Sequence, residues 1–264
     1  MKTLDRIFQD IDTLSKNSEF LPTGLHQVDR FLDGGFMRKE LIVLGGYTGS
    51  GKSFLAGQIF HNVAMNGFKS AYLSLEISTE MVLSRLIGQT SNLKATRIMA
   101  GLLDLDEDEI KNRAKAEIIP YSEFMHFTDK IYKLEEVEET IINNNYDFIV
   151  VDFIQNLMTG EKDEYSAMTL ASLRLQSMAK EHNCCIMVVS QLSNSANKSG
   201  YLEYKGSGGI AMVADLGFFI TRPADNDADY TRLTLTLKKN RRGISGVNFD
   251  FNFQIPGGKI IWWT

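Results

Sequence analysis

The chain has 264 residues, 44% of them apolar and 23% charged, with 4 prolines and 21 glycines. That composition excludes a disordered tail and a collagen-like or linker-like chain. A formal net charge of −5 argues against a non-specific nucleic-acid coat. No apolar run approaches the ~18 residues needed to cross a bilayer, and the charged N-terminus lacks the apolar stretch of a secretory signal. The 2 cysteines, Cys184 and Cys185, are adjacent in a strand-like run, where neighbours point to opposite faces; neither a disulfide nor a metal pair is expected. A protein of the reducing cytoplasm, away from membranes, fits these features.

Residues 1–20 read as a short arm ahead of the core, which occupies residues 21–264. Leu41–Leu44 reads as a strand, and a helix follows from Lys52 to about Asn66. Ser70–Leu75 is the next strand; Ser78 can cap the following helix, with Glu80 complementing its dipole. Weaker helices run to about Ile119, then a short strand over Met125–Thr128 and a helix over Leu134–Asn143. Phe148–Val151 and Cys184–Val189 are continuous apolar strands. Between them Met168, Ala171, Leu175 and Met178 fall at helical spacing, a core stripe. Continuous apolar strands alternating with helices predict an α/β fold with a mostly parallel sheet flanked by helices. Thr231–Leu237 and Asn248–Phe253 alternate instead, which predicts antiparallel strands added at the C-terminal end.

Charge is unevenly spread. Leu102–Glu164 carries 6 basic and 17 acidic residues, whereas Lys198–Gly246 carries 8 basic and 5 acidic. A polyanion could meet only the second stretch; a solvated surface explains both equally well.

The strongest chemical signal is Gly46-Tyr47-Thr48-Gly49-Ser50-Gly51-Lys52-Ser53, a P-loop lying between a strand and a helix. Gly46, Gly49, Ser50 and Gly51 let backbone N–H groups surround phosphates. Lys52 reaches the β- and γ-phosphates of ATP, and Ser53 can ligate Mg²⁺. Asp152, at the end of Phe148–Val151, supplies a second metal-side carboxylate at the carboxyl edge, where ligands bind in such sheets. Glu76 follows the strand Ala71–Leu75. Position alone leaves it either a carboxylate near the γ-phosphate or an acid leading the next helix. Gln191 ends the strand before a long polar loop, Leu192–Gly209, and can sense the γ-phosphate; a plain surface loop is the alternative. Lys238–Gly243 is the densest basic cluster.

Together these residues resemble the C-terminal motor domain of DnaB-type replicative helicases, within the RecA-like P-loop class. The resemblance runs through Pro22-Thr23-Gly24-Leu25, Val28–Gly35, the P-loop, Ser74–Ser78, Phe148–Gln155, Ser190-Gln191-Leu192, residues 206–208, Ala214-Asp215-Leu216 and Lys239–Gly243. It implies an ATP-dependent DNA helicase built as a homo-oligomeric, usually hexameric ring. ATP would sit at subunit interfaces and single-stranded DNA in the channel, with a primase or helicase loader as further partner. It implies that Glu76 is the catalytic carboxylate and that Lys239 and Arg241 are fingers reaching a neighbour's nucleotide. It also implies that Lys205, Gly206 and Gly208 touch DNA phosphates. The family has an Arg-Glu pair where this chain has Lys205-Gly206, and the family's N-terminal domain has no counterpart in these residues. A RecA-like assembly protein that binds DNA and uses ATP without unwinding is the competing function.

Overall fold

The computed structural model describes residues 3–9, 20–191, 212–223 and 229–262. The expected DNA-contacting residues Lys205, Gly206 and Gly208, and nearly all of the loop that holds them, lie outside the described residues, as does most of the expected arm.

A nine-stranded sheet with the order β3-β2-β4-β5-β1-β6-β7-β8-β9 forms the frame. β1 (Leu41–Gly46), β2 (Ser70–Ser74), β3 (Met125–Thr128), β4 (Phe148–Asp152), β5 (Cys185–Gln191) and β6 (Leu216–Thr221) pair in parallel. β7 (Tyr230–Asn240), β8 (Val247–Gln254) and β9 (Ile260–Trp262) continue the sheet antiparallel. The helices are α1 (His26–Phe31), α2 (Lys52–Met65), α3 (Thr79–Ser91), α4 (Ala95–Ala100), α5 (Leu105–Ile118), α6 (Leu134–Asn144) and α7 (Glu164–Glu181).

The continuous apolar strands are buried on both faces. Along β1, Ile42 and Leu44 join the core under α2, while Leu41 and Val43 join the core under α6 and α7. Cys184 and Cys185 divide in the same way and are free thiols. The alternating strands at the C-terminal end bury Phe249, Phe251 and Phe253 on one side, against Leu233, Leu235 and Leu237 of β7. The expected Ser78 cap is present, its hydroxyl accepting from Met81 N–H at 3.3 Å, and α6 ends where Asn145 adopts a left-handed φ of 51°.

Three elements were not legible in the sequence. β6 has a glycine in its run and follows a long loop, so its apolar residues present no clear boundary. β9 is three residues long. α1 is a six-residue turn whose role is to close the entry to the core. Asp29 on it accepts from Thr23 N–H (2.9 Å), the Thr23 hydroxyl (2.6 Å) and Gly24 N–H (3.0 Å), and Asn62 of α2 donates to Thr23 O (2.8 Å). The Thr23-Gly24 and Val28-Asp29 motifs are therefore structural.

β7 runs longer than its alternating core, so Lys238 and Lys239 are strand residues and only Arg241-Arg242-Gly243 form the turn. Arg242 anchors that turn. Its Nε donates to Glu40 Oε1 at 2.6 Å, its Nη2 pairs with Glu40 Oε2, and its Nη1 donates to Gly35 O at 2.9 Å. Both side chains are largely buried. Removing one partner of such a pair strands the other charge, so Arg242→Ala is expected to cost about 3 kcal/mol of stability. Arg241→Ala, whose side chain is 45% exposed, should cost far less. Urea denaturation of the two variants checks this, and equal losses would contradict it.

Candidate nucleotide site

The parallel register brings the phosphate-facing groups to one edge. Gly46 at the end of β1 lies directly beside Gln191 at the end of β5. Asp152 ends β4 opposite Val189, and Ile220 of β6 flanks Gly46 on the other side. Gly46 is required by close approach, since a Cβ there would stand 2.5 Å from Ile220 Cγ2 and 2.6 Å from Ser50 Oγ. Gly51, at φ 97°, is the N-cap of α2 and makes no side-chain cap bond. No acidic residue sits in the first turn of α2. The N–H groups and positive end of a 14-residue helix therefore face the loop.

Lys52 is 4% exposed. Its Nζ donates to Gly46 O at 3.0 Å and Tyr47 O at 2.8 Å, holding the loop's own carbonyls. Burial lowers its pKa to about 8, against the pull of Asp152 and Glu76. Asp152 is buried, and burial raises its pKa; the bond from Tyr72, the nearby Ser53 hydroxyl and the charge of Arg85 oppose that shift. The Tyr72 hydroxyl donates to Asp152 Oδ2 at 2.6 Å, and burial beside this carboxylate holds the phenol well above its ordinary pKa, hence protonated. Asp152 Oδ1 is buried without a hydrogen-bond partner, and so is Ser50 Oγ. Oδ1 and Ser53 form a donor set that suits a hard divalent cation.

Above these groups opens a cavity of about 470 Å³, lined by the P-loop, Glu76, Arg85, Phe153, Gln191, Arg222 and Phe253. Glu76 lies two residues past β2, exposed on the cavity wall. Gln155 braces the end of β5, donating from Nε2 to Ser190 Oγ at 2.9 Å.

The structure thus gathers Gly46, Gly49, Ser50, Gly51, Lys52, Ser53, Glu76, Asp152 and Gln191 at one site. It does not bring Lys239 and Arg241 there. Arg241 Nη1 donates to Asp215 Oδ1 at 2.9 Å and Nη2 to Met212 O at 3.1 Å, while Lys239 Nζ donates to Met212 O at 2.7 Å. Asp215 accepts from Leu41 N–H at 2.9 Å, at the amino end of β1. At about 3.3 Å per residue, five residues of β1 separate that level from Gly46 by about 16 Å. These two side chains lie at the opposite edge of the sheet from their own P-loop.

Sequence reading missed several cavity residues, among them Arg222, Arg85 and Phe253. Arg222 donates to Gly49 O at 2.9 Å and lies 4.6 Å over the Phe253 ring. It is found only once β6 is known to end at Thr221. Arg85, on α3, lies 4.9 Å over the Phe54 ring; nothing in its helical surroundings distinguishes it. Phe253 reads in sequence as one more apolar strand residue.

Sheet order and loop define a RecA-like P-loop fold. The match to the DnaB-like helicase C terminal domain covers residues 21–256, and the chain belongs to that family. It is 30% identical to the replicative DNA helicase DnaB of Treponema pallidum (strain Nichols), over 91% of this chain and 57% of that protein. It is 27% identical to the replicative DNA helicase DnaB of Mycoplasma pneumoniae, over 91% of this chain and 56% of that protein. The chain therefore spans about half the length of these relatives. Among solved structures, an ATPase domain superposes with a TM-score of 0.84 at 19% identity, covering 99% of this chain and 97% of that one. A DnaB-like replicative helicase studied for its interactions with primase gives 0.83 at 18% identity, covering 100% of this chain and 68% of that one.

The lowered Lys52 pKa has a measurable consequence. Below pH about 8 the ammonium is already present and the lysine adds no pH dependence to nucleotide binding. Bound phosphates favour the charged lysine, so between about 8 and the ordinary 10.5 binding must take up a proton. Affinity should then fall, approaching about tenfold per pH unit. Calorimetry at pH 8.5 in buffers of differing ionisation enthalpy should register uptake of more than half a proton. Zero uptake would contradict the buried lysine.

Proposed function

We propose that this chain is the ATP-driven motor of a ring-forming replicative DNA helicase, which moves along single-stranded DNA and unwinds duplex. The observation that carries this reading is the placement of two chemical sets at opposite edges of one sheet. Lys52, Glu76 and Gln191 line one cavity, and Lys239 and Arg241 gather around Asp215 and Met212 at the amino edge, a level about 16 Å along β1 from Gly46. A basic pair that cannot reach its own nucleotide is suited to a neighbour's. Head-to-tail contacts of that kind close into rings, and six copies is the assembly proposed.

In this reading Lys52 leaves the carbonyls of Gly46 and Tyr47 for the β- and γ-phosphates. The N–H groups of the loop and of the first turn of α2 surround them. The Arg222–Phe253 pair at the cavity wall takes the adenine ring. Glu76 orients the attacking water and accepts its proton, and Gln191 reports whether the γ-phosphate is present. Ser53 would ligate Mg²⁺, and the unpartnered Oδ1 of Asp152 would hold the ion through water. The ion, when bound, neutralises charge on the β- and γ-phosphates. Arg241, with Lys239, stabilises transition-state charge on the nucleotide of the next copy.

Lys205, Gly206 and Gly208 contact DNA phosphates, which suits movement over any sequence. In the chain they lie between Gln191 and Met212, so the DNA segment joins the γ-phosphate sensor to the carbonyl that holds both fingers. A primase or helicase loader is the further partner proposed, and the cytoplasm the place of action. Among the described residues no helix is long and apolar enough to cross a membrane.

The test uses a forked duplex with ATP and Mg²⁺. The wild-type chain should unwind it, and Glu76→Gln should bind ATP nearly normally while turnover falls about 100-fold and unwinding is lost. Normal hydrolysis by Glu76→Gln would move the catalytic role to another carboxylate. DNA-stimulated hydrolysis without unwinding by the assembled wild type would favour a RecA-like assembly protein instead.

A further inference from the structure

Tyr72 stands in the middle of β2, fully buried, on the face of the sheet covered by α2. Its ring meets Phe60 of that helix edge-on, with centroids 5.6 Å apart at 84°. Phenylalanine would serve that packing equally well, so the hydroxyl needs a separate reason. β2 and β4 pair in parallel with Tyr72 beside Val150 and Ser74 beside Asp152. Side chains two residues apart on a strand share a face, so Val150 and Asp152 point toward α2 as Tyr72 does. The hydroxyl extends along the sheet from the level of Val150 to the level of Asp152. There it donates to Oδ2 at 2.6 Å. Asp152 Oδ1 is left buried and without a partner.

The geometry points to Tyr72 as a positioning residue for the metal-side carboxylate. By occupying Oδ2 it fixes the plane of the Asp152 carboxylate and leaves Oδ1 as the one oxygen available to a divalent cation. This rests on the proposed magnesium role of Asp152. Without the phenol the carboxylate could turn, and a buried anionic oxygen would lose its donor, a loss that is large for charged groups. Groups that orient a metal ligand through its free atom commonly change metal affinity by about 10- to 100-fold. Tyr72 touches neither nucleotide nor metal in this account; it acts through Asp152.

The readout is the affinity of the full chain for a fluorescent, non-hydrolysable ATP analogue, measured with Mg²⁺ and with EDTA. The ratio of the two isolates the contribution of the metal. Tyr72→Phe, which keeps the ring against Phe60, should leave affinity in EDTA unchanged and reduce the magnesium enhancement about 10-fold. Tyr72→Met, a flexible apolar filler, should do the same and serves if the phenylalanine variant does not fold. In an Asp152→Asn background, Tyr72→Phe should have no further effect. An unchanged enhancement in a folded Tyr72 variant, with Asp152→Asn abolishing it, would overturn the positioning role alone. An equal loss from Tyr72→Phe in the Asp152→Asn background would also overturn it, since the phenol would then act elsewhere. If Asp152→Asn itself leaves the enhancement intact, the magnesium role of Asp152 fails and the positioning role falls with it.

Discussion

Parallel pairing of β1 with β5 and β6 is the constraint on which the rest of this structure depends. It sets Gly46 level with Gln191 and Ile220, and through β5 it sets the level of Asp152. A parallel sheet has two chemically distinct edges, because all carbonyl ends of its strands lie together. The P-loop, Asp152 and Gln191 belong to the carboxyl edge because each lies at the end of a strand. Asp215 and the turn after β7 belong to the amino edge because one precedes a parallel strand and the other follows an antiparallel one. A one-residue slip of β5 would turn Gln191 to the other face of the sheet and exchange the residues that β5 gives to the two cores.

The buried polar groups follow from that frame. Two-sided burial puts Lys52 and Asp152 in surroundings that disfavour their charged forms, and each is held by neighbours that restore the balance. The lysine is held by two carbonyls and the carboxylate by a phenol. Both retain capacity that the protein itself does not satisfy. Such groups are costly in a folded chain unless a ligand uses them, which is the physical sense in which this edge is a site. At the amino edge Lys239 and Arg241 meet Asp215 and Met212 O, and Arg241 stays half exposed.

Much of this was legible in the sequence, for reasons that differ by element. Leu41–Leu44, Phe148–Val151 and the run from Cys184 are apolar without interruption, which only a strand covered on both faces tolerates. The P-loop is legible because its glycines have no alternative and Lys52-Ser53 opens a helix. β6 is concealed by Gly217 and by the loop before it, and with it went Arg222. Arg85 and Phe253 depend on which residues face one another across the cavity, which no spacing along the chain encodes. Tyr72 is concealed more thoroughly, since an aromatic residue in a buried strand signals packing, and only the register with β4 reveals what its hydroxyl meets. The Arg241-Arg242 pair shows the converse: adjacent and identical in type, they differ because one meets Glu40 and the other the edge of the sheet.

In the proposed ring, the separation of the two edges means that each nucleotide site would be completed by another copy of the chain. Mixing two inactive variants tests this most directly. Lys52→Ala lacks the phosphate-binding charge but keeps Arg241, and Arg241→Ala lacks the finger but keeps the P-loop. Rings assembled from both, with mixing verified by native mass spectrometry, contain some interfaces with both groups intact. ATP turnover well above that of either variant alone is the result this account predicts. Verified mixed rings no more active than their parents would contradict it.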